Sequence, residues 1–243
     1  MQQSTNPALS NKAFSRFATG EQTEKMTIGG TLAKVGLAFV VLLAAAAWGW
    51  ILFPHFGTTI PVWTLWVGIV ATLVVGIVAA FKANFFTVML YAVLEGAYLG
   101  IISRLFETAY DGIVTQAIIL TGAIALGAYV LYAARIIKVT KKFYSIVLIA
   151  TVGVLIYLVA ELILSLIIPG FANIVFSGPA GIIIAAIIVL IAALNLFLDF
   201  NTIETGAEQG LSKKAEWYAA FGLLVTLIWL YVSILRLLGA SRR

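Results

Sequence analysis

The chain of 243 residues contains no cysteine, one histidine and few charged residues. The absence of cysteine excludes a disulfide framework, a thiolate metal site and a cysteine nucleophile. The single histidine, His55, has no second ligand nearby, so no metal site is predicted. Only 10% of the residues are charged and 63% are hydrophobic, whereas a soluble domain averages about 25% charged and about 45–50% apolar residues. A water-soluble fold is therefore excluded.

Seven apolar stretches are each long enough to cross a bilayer, because a helix needs about 20 residues to span roughly 30 Å of hydrocarbon. We predict an all-α polytopic membrane protein, a bundle of seven transmembrane helices. The predicted spans, numbered one to seven in chain order, are Thr31–Phe53, Ile60–Phe81, Phe85–Phe106, Ile113–Ala134, Phe143–Ile168, Pro179–Asp199 and Ala215–Leu238.

The first thirty residues differ from the rest in being polar. We interpret residues 1–30 as a mobile cytoplasmic tail and residues 31–243 as a single transmembrane domain. The longest connection that follows, Phe200 to Lys214, carries Glu204, Glu208 and two glycines, and is predicted to be a solvated loop.

Lysine and arginine are retained on the cytoplasmic side during insertion, so their distribution predicts orientation. With the N-terminus in the cytoplasm and the C-terminus outside the cell, eleven basic residues lie on the cytoplasmic side of the cell membrane and four on its outer side. The inner set is Lys12, Arg16, Lys25, Lys34, Lys82, Arg135, Lys138, Lys141, Lys142, Lys213 and Lys214, and the outer set is Arg104, Arg236, Arg242 and Arg243. The sequence pI of about 9.5 thus reflects topology and contact with anionic lipid. No nucleic-acid partner is predicted.

Apart from Glu216 at the polar edge of span seven, three acids lie in the spans, where a carboxylate at the bilayer centre costs about 2.5–3.5 kcal/mol. Glu95 is near the middle of span three, Glu161 is in the outer part of span five, and Asp199 closes span six. Burial disfavours the charged form of a carboxyl group, so such acids suit proton sensing or cation binding. The alternatives are that Glu95 is a neutral acid bonded to a neighbouring helix, that Asp199 only marks a helix end, and that Glu161 reaches the interface.

Small and polar residues indicate which helix faces meet protein. Ala92, Gly96 and Gly100 form a small-residue ridge on span three, typical of close helix packing. A second stripe on span seven combines small and polar side chains on one face, which indicates a central position for this helix. Its members are Gly222, Thr226, Trp229 and Ser233. Asn195 lies one turn before Asp199, so Asn195, Asp199 and Thr226 are predicted to converge.

Several classes of membrane protein are excluded by missing residues. A retinal protein needs a lysine deep in the last helix, but Lys213 and Lys214 precede span seven. No serine–histidine pair, paired aspartates or His-Glu-x-x-His run lies within the spans, and no glycine-rich phosphate loop is present. We expect neither an enzyme nor a cofactor. A passive ion pathway, a proton-coupled carrier and a membrane interaction protein remain.

Three runs resemble the bacterial branch of the Bax inhibitor-1 family: Leu94–Gly100, Leu198–Glu204 and Glu216–Leu223. The resemblance implies seven helices with the last one wrapped by the other six. It also implies a pH-sensitive calcium leak controlled by two aspartates that share a proton. Asp199 matches the first aspartate, whereas Thr226 holds the position of the second. A hydroxyl can hydrogen-bond a carboxylate but cannot share a proton as a second acid does.

We therefore expect a multi-pass protein of the cytoplasmic membrane that permits slow, pH-dependent flux of calcium or another cation, or of protons. Asp199 is the expected sensor, Thr226 and Asn195 are its hydrogen-bond partners, and Glu95 lines the path. Glu161 and Glu204 are weaker candidates, and either Glu95 or Glu204 could compensate for the missing aspartate. The alternative is a non-conducting protein that modulates a membrane protease or another membrane partner, with structural acids.

Overall fold

The computed structural model describes residues 24–55, 63–167 and 178–242, except for the side chains of His55, Leu65, Leu162, Ser165 and Leu166. Within these ranges a short 3-10 helix, Phe53–His55, accompanies seven α-helices. The helices are α1 (Ile28–Leu52), α2 (Trp63–Phe81), α3 (Phe85–Ala109), α4 (Ile113–Ala133), α5 (Lys141–Ile167), α6 (Gly178–Glu208) and α7 (Ala215–Ser241).

The length and apolarity of these helices confirm an all-helical, polytopic membrane protein. Every helix except α2 is long and apolar enough to cross a bilayer. Helix α2 has 19 residues, and its continuously described apolar part, Trp66–Phe81, is shorter. The count of seven spans therefore stays a prediction. Of the predicted tail, residues 1–23 lie outside the described part, whereas Ile28–Gly30 already belong to α1.

Helix α6 extends well beyond the predicted end of span six at Asp199. It continues to Glu208, so the predicted solvated loop from Phe200 was wrong over those residues. Gly210 ends the helix in a left-handed conformation, φ 63°. Its N–H donates to Ala207 O (3.0 Å) and that of Leu211 to Gly206 O (3.1 Å), which is the Schellman pattern. The sequence becomes more polar after Phe200, but the helix does not end there, because a helix can continue from a bilayer into water.

The chain divides into two units. Unit 1 comprises Met1–Gly100 and Asn201–Leu224, and unit 2 comprises Ile101–Phe200 and Val225–Arg243. Helices α3, α6 and α7 contribute residues to both units.

In unit 1, α1 and α3 pack with their backbones in close contact. Helix α1 buries one residue in every three or four: Thr31, Val35, Ala38, Leu42, Ala45 and Gly49. A Cβ atom at Gly96 would meet Leu42 O, and one at Gly100 would meet Ala46 O. The predicted small-residue ridge on span three is thus confirmed as a contact surface, and its partner is α1. Gly49 on α1 is the reciprocal position, since its Cβ would meet Ala97 O.

A polar clamp joins the N-terminal ends of α1 and α7 in unit 1. Its backbone part pairs Glu24–Thr27 with Leu211–Lys213: Met26 N–H donates to Leu211 O (2.6 Å) and Lys213 N–H donates to Glu24 O (2.8 Å). Its side-chain part centres on Glu216, which is 1% exposed. Glu216 Oε1 accepts from Thr27 N–H (2.9 Å) and from the Thr27 hydroxyl (3.2 Å).

Lys34 completes the clamp, because its Nζ donates to Glu216 Oε2 (2.5 Å). The same ammonium group lies 5.0 Å from the Trp217 ring centroid. A second Glu–Lys pair, Glu24 with Lys213, lies on the surface. Its hydrogen bond and charge raise the pKa of Lys213, but exposed pairs contribute little to stability because water screens them.

Helix α7 is the most buried of the long helices. Half of its most apolar window is buried, compared with 11–39% for the others. No residue from Ala219 to Ala240 is exposed. Among the described residues, the large apolar side chains that are exposed lie on the other helices and the segments beside them, with Tyr218 the one exception on α7. The predicted stripe therefore faces protein, and burial extends round the whole helix. Its wrapping by six helices stays a prediction.

The close approach of α1 to α3 predicts that Gly49→Ala destabilises the protein. The added methyl group would meet backbone atoms of Ala97, which cannot rotate away, and overpacking of this kind costs about 1–3 kcal/mol. Thermal unfolding in detergent should show a lower midpoint. Gly36→Ala on the same helix is the control, since nothing lies within 4 Å of its Cβ position. Equal midpoints for the two variants would contradict the proposed contact.

The clamp predicts that Glu216→Gln lowers the free energy of unfolding by about 1.5–3 kcal/mol, the range for hydrogen bonds to charged groups. The amide would leave the Lys34 ammonium without its counter-charge. Glu24→Gln removes the same chemistry from the exposed pair and should leave stability unchanged. Chemical unfolding in mixed micelles checks both variants. A similar loss in each would show that burial does not distinguish the two pairs.

Candidate functional site

Asp199 lies in the interior of α6, nine residues before its last residue. This position removes the interpretation that the carboxylate only marks a helix end. The Thr226 hydroxyl of α7 hydrogen-bonds the Asp199 carboxyl group. The second carboxyl oxygen, Oδ2, is buried and has no hydrogen-bond partner. Both residues belong to unit 2. Their hydrogen bond brings the predicted sensor and its predicted partner together.

Asn195 lies one turn before Asp199, but its amide group bonds elsewhere. Its Nδ2 donates to the Thr151 hydroxyl of α5 (2.7 Å) and to Ile191 O of its own helix (2.8 Å). An amide nitrogen has two hydrogens, so both donors are occupied. Asn195 therefore links α6 to α5, and its amide donors do not reach Asp199.

Glu161 lies beside a basic residue of α7. Its side chain on α5 is 12% exposed, and Oε2 lies 3.5 Å from Arg236 Nη1 of α7. The same Oε2 has no hydrogen-bond partner, so the contact is one of charge without good hydrogen-bond geometry. Within unit 2, the pair joins α5 to the C-terminal part of α7.

Glu95 and Glu204 belong to unit 1, whereas Asp199 belongs to unit 2. Glu95 is half-buried on α3, one turn after Tyr91. Tyr91 is itself buried and packs edge-to-face on Phe221 of α7, with ring centroids 5.1 Å apart. Glu204 is half-buried in the part of α6 that was predicted to be a loop. The roles of both acids stay predictions.

The buried stripe of α7 carries polar groups onward from Thr226. Trp229 and Ser233 follow at offsets of three and seven, on the same helical face. The Ser233 hydroxyl is satisfied by Trp229 O at 2.7 Å. The indole Nε1 of Trp229, in contrast, is buried without a partner. In this stripe the Ser233 hydroxyl has a hydrogen-bond partner and the Trp229 indole N–H has none.

Orphaned polar atoms concentrate in unit 2. Among the described residues, five side chains have a buried nitrogen or oxygen atom with no hydrogen-bond partner. Four of the five, Tyr157, Glu161, Asp199 and Trp229, lie on α5, α6 and α7 in unit 2, and the fifth is Ser212. Most buried polar groups have a protein or water partner, so a cluster of exceptions marks hydration or function.

Sequence reasoning overlooked two charged residues. Arg236 was read only as an outer basic residue, because its pairing with Glu161 depends on how α5 and α7 pack. Glu216 stands at the polar edge of span seven, and no role of its own was predicted for it from the sequence. One available signal was its place in the run Glu216–Leu223, one of the three that carry the family resemblance.

A carboxyl group in this setting can exchange a proton or bind a cation. When ionised, Oδ2 of Asp199 offers free lone pairs, and when protonated the group becomes a donor. The Thr226 hydroxyl can donate to the ionised form and accept from the protonated form. The arrangement contains one acid, so it can change its charge by one.

Comparison with known proteins identifies the family. A family model described as Bax inhibitor 1 like matches residues 6–243. The chain therefore belongs to the Bax inhibitor 1 like family, in agreement with the resemblance of its three sequence runs. No curated protein matches the chain.

Proposed function

We propose that this member of the Bax inhibitor-1 family lets cations cross its membrane slowly and in a pH-dependent way, with Asp199 as the sensor. The observation that carries the proposal is the buried, unpartnered Oδ2 of Asp199 in the interior of α6. A charged group at membrane depth is costly and typically marks an ion or proton path. Calcium is the cation that the family resemblance implies.

Thr226 supports this role because its hydroxyl can follow both protonation states of Asp199. It supplies no second negative charge. A site with one carboxylate titrates in a single step, whereas two coupled acids titrate in two. We therefore propose a simpler pH response than the resemblance implies for members with two aspartates. The activity is passive and requires neither a catalytic residue nor a cofactor.

The other predicted residues receive supporting roles. Asn195 holds α6 against α5 through Thr151, which fixes the helix that carries Asp199. Glu95 is proposed to line the path within unit 1, with Glu204 as a weaker candidate there. The distribution of basic residues supports a location in the cytoplasmic membrane with the N-terminus inside.

The central prediction concerns Asp199→Asn, which keeps the shape of the side chain and removes its charge. Purified protein in liposomes should pass calcium faster at pH 8 than at pH 6, since only the ionised carboxyl attracts a cation. The variant should pass less calcium and lose the pH dependence. Dye-reported calcium and proton fluxes at both pH values provide the measurement.

Asp111→Asn is the matched control, because Asp111 is the only other aspartate and is exposed. It should behave as the parent does. Absence of flux from a correctly folded parent would reject the conducting role and leave the alternative, a protein that modulates a membrane protease or another membrane partner. Equal loss in both variants would reject the assignment to Asp199.

A second prediction tests the single-acid site. Thr226→Asp would place two carboxyl groups side by side, and the repulsion between their charges should split the titration into two steps. The flux measured across a fine pH series should then change twice, whereas Thr226→Ser, which keeps the hydroxyl, should retain one step. A single unchanged step in the aspartate variant would contradict the proposed contact.

A further inference from the structure

A cavity of about 80 Å³ lies between α5, α6 and α7 in unit 2. Leu158 lines it from α5, and Ala185 and Ile188 line it from α6. Helix α7 contributes Trp229, Val232, Ser233 and Arg236. Since a water molecule occupies about 30 Å³ in the liquid, the cavity has room for at least two.

The cavity is lined or flanked by polar atoms that have no protein partner. Trp229 lines it, and its Nε1 is buried and unbonded. Tyr157 precedes the lining residue Leu158, and Glu161 follows one turn later; their Oη and Oε2 atoms are also buried without partners. Water is the usual partner of such atoms, and it needs two to four polar groups to be held. These features favour a hydrated cavity.

Arg236 places a positive charge at this cavity, and Glu161 offsets it from 3.5 Å. The Arg236 side chain is 40% exposed, so the pair lies between the cavity and the surroundings of the protein. The stripe of α7 leads from here toward the sensor: Trp229 lies three residues after Thr226, about 4.5 Å along a helix axis.

We propose that this cavity is a hydrated vestibule of the cation path and that the Glu161–Arg236 pair sets its electrostatic barrier. The inference rests on the proposed function and adds the residues that control entry. A cation that enters meets a positive and a negative charge that nearly cancel. Removal of either charge gives the vestibule a net charge, which is positive without Glu161 and negative without Arg236.

Variants that replace one charged side chain of the pair by a neutral one should therefore change cation flux in opposite directions. Glu161→Gln removes the negative charge beside Arg236 and should lower calcium flux about tenfold, because fields inside a cleft change local ion concentration by this order. Arg236→Gln leaves Glu161 uncompensated and should raise the flux by a similar factor. The double variant should return to within about twofold of the parent.

Arg242→Gln is the matched control for the lost positive charge. Arg242 lies at the same end of α7 but bonds Asp111 O and Gln116 Oε1 and does not line the cavity. Its loss should leave the flux unchanged. A rise equal to that of Arg236→Gln would show that surface charge alone acts, and would overturn the inference.

Hydration of the cavity can be tested without a flux measurement. Because the chain has no cysteine, a cysteine introduced at one position is the only thiol that a reagent can label. Ala185 lines the cavity and is 2% exposed; Ala192 is on the same helix, is 0% exposed and does not line the cavity. Only a hydrated thiol ionises readily, so the thiol of Ala185→Cys should react with iodoacetamide at least about tenfold faster than that of Ala192→Cys. Mass spectrometry of the folded protein in liposomes gives the rates.

The two measurements separate the failure of this inference from that of the proposed function. If Asp199→Asn abolishes a parental flux while the Glu161 and Arg236 variants move it in the same direction or not at all, the inference is overturned and the function stands. If the parent carries no flux, the function fails, and the labelling still decides hydration. Equally slow labelling at both positions overturns the vestibule.

Discussion

Hydrocarbon offers no hydrogen-bond partners, and this constraint shapes both the backbone and the buried side chains. Every backbone group in a span must be satisfied within the protein, which leaves helices as the solution for a chain with these long apolar runs. Polar side chains face the same demand. Ser103 meets it by pairing with the Tyr231 hydroxyl at 2.7 Å, and Asn195 meets it through Thr151.

The clamp and the proposed sensor show two ways of placing an acid in such a protein. Glu216 is almost fully buried, but both oxygens have partners, one the cation Lys34 and the other Thr27. Its charge is therefore fixed, and it stabilises the ends of two helices. Asp199 has one partner and one orphaned oxygen. Incomplete satisfaction keeps its charge adjustable, which is the property that a sensor requires and a structural acid avoids.

The sequence predicted what depends on composition and missed what depends on packing. Long apolar runs predicted the helices, and glycine spacing predicted the contact face of α3, because both are local properties. The end of α6 was misplaced because polarity changes at Phe200 while the helix continues to the glycine turn at Gly210. Thr151, the partner of Asn195 on another helix, lies 44 residues away in the sequence, and Arg236 lies 75 residues from Glu161. Lys34 lies 182 residues from Glu216. These contacts therefore depend on tertiary structure.

On the proposed path, charge balance limits how an ion can pass through unit 2. Asp199 contributes one negative charge at most, and the Glu161–Arg236 pair is neutral as a whole. A dehydrated calcium ion needs six to eight oxygen ligands and a matching negative charge, which this set of side chains does not supply. An ion must therefore keep much of its water, and the orphaned atoms near the cavity are suited to hydrogen-bond that water. Weak binding of this kind favours release and passage over storage, because conduction requires that an ion can also leave.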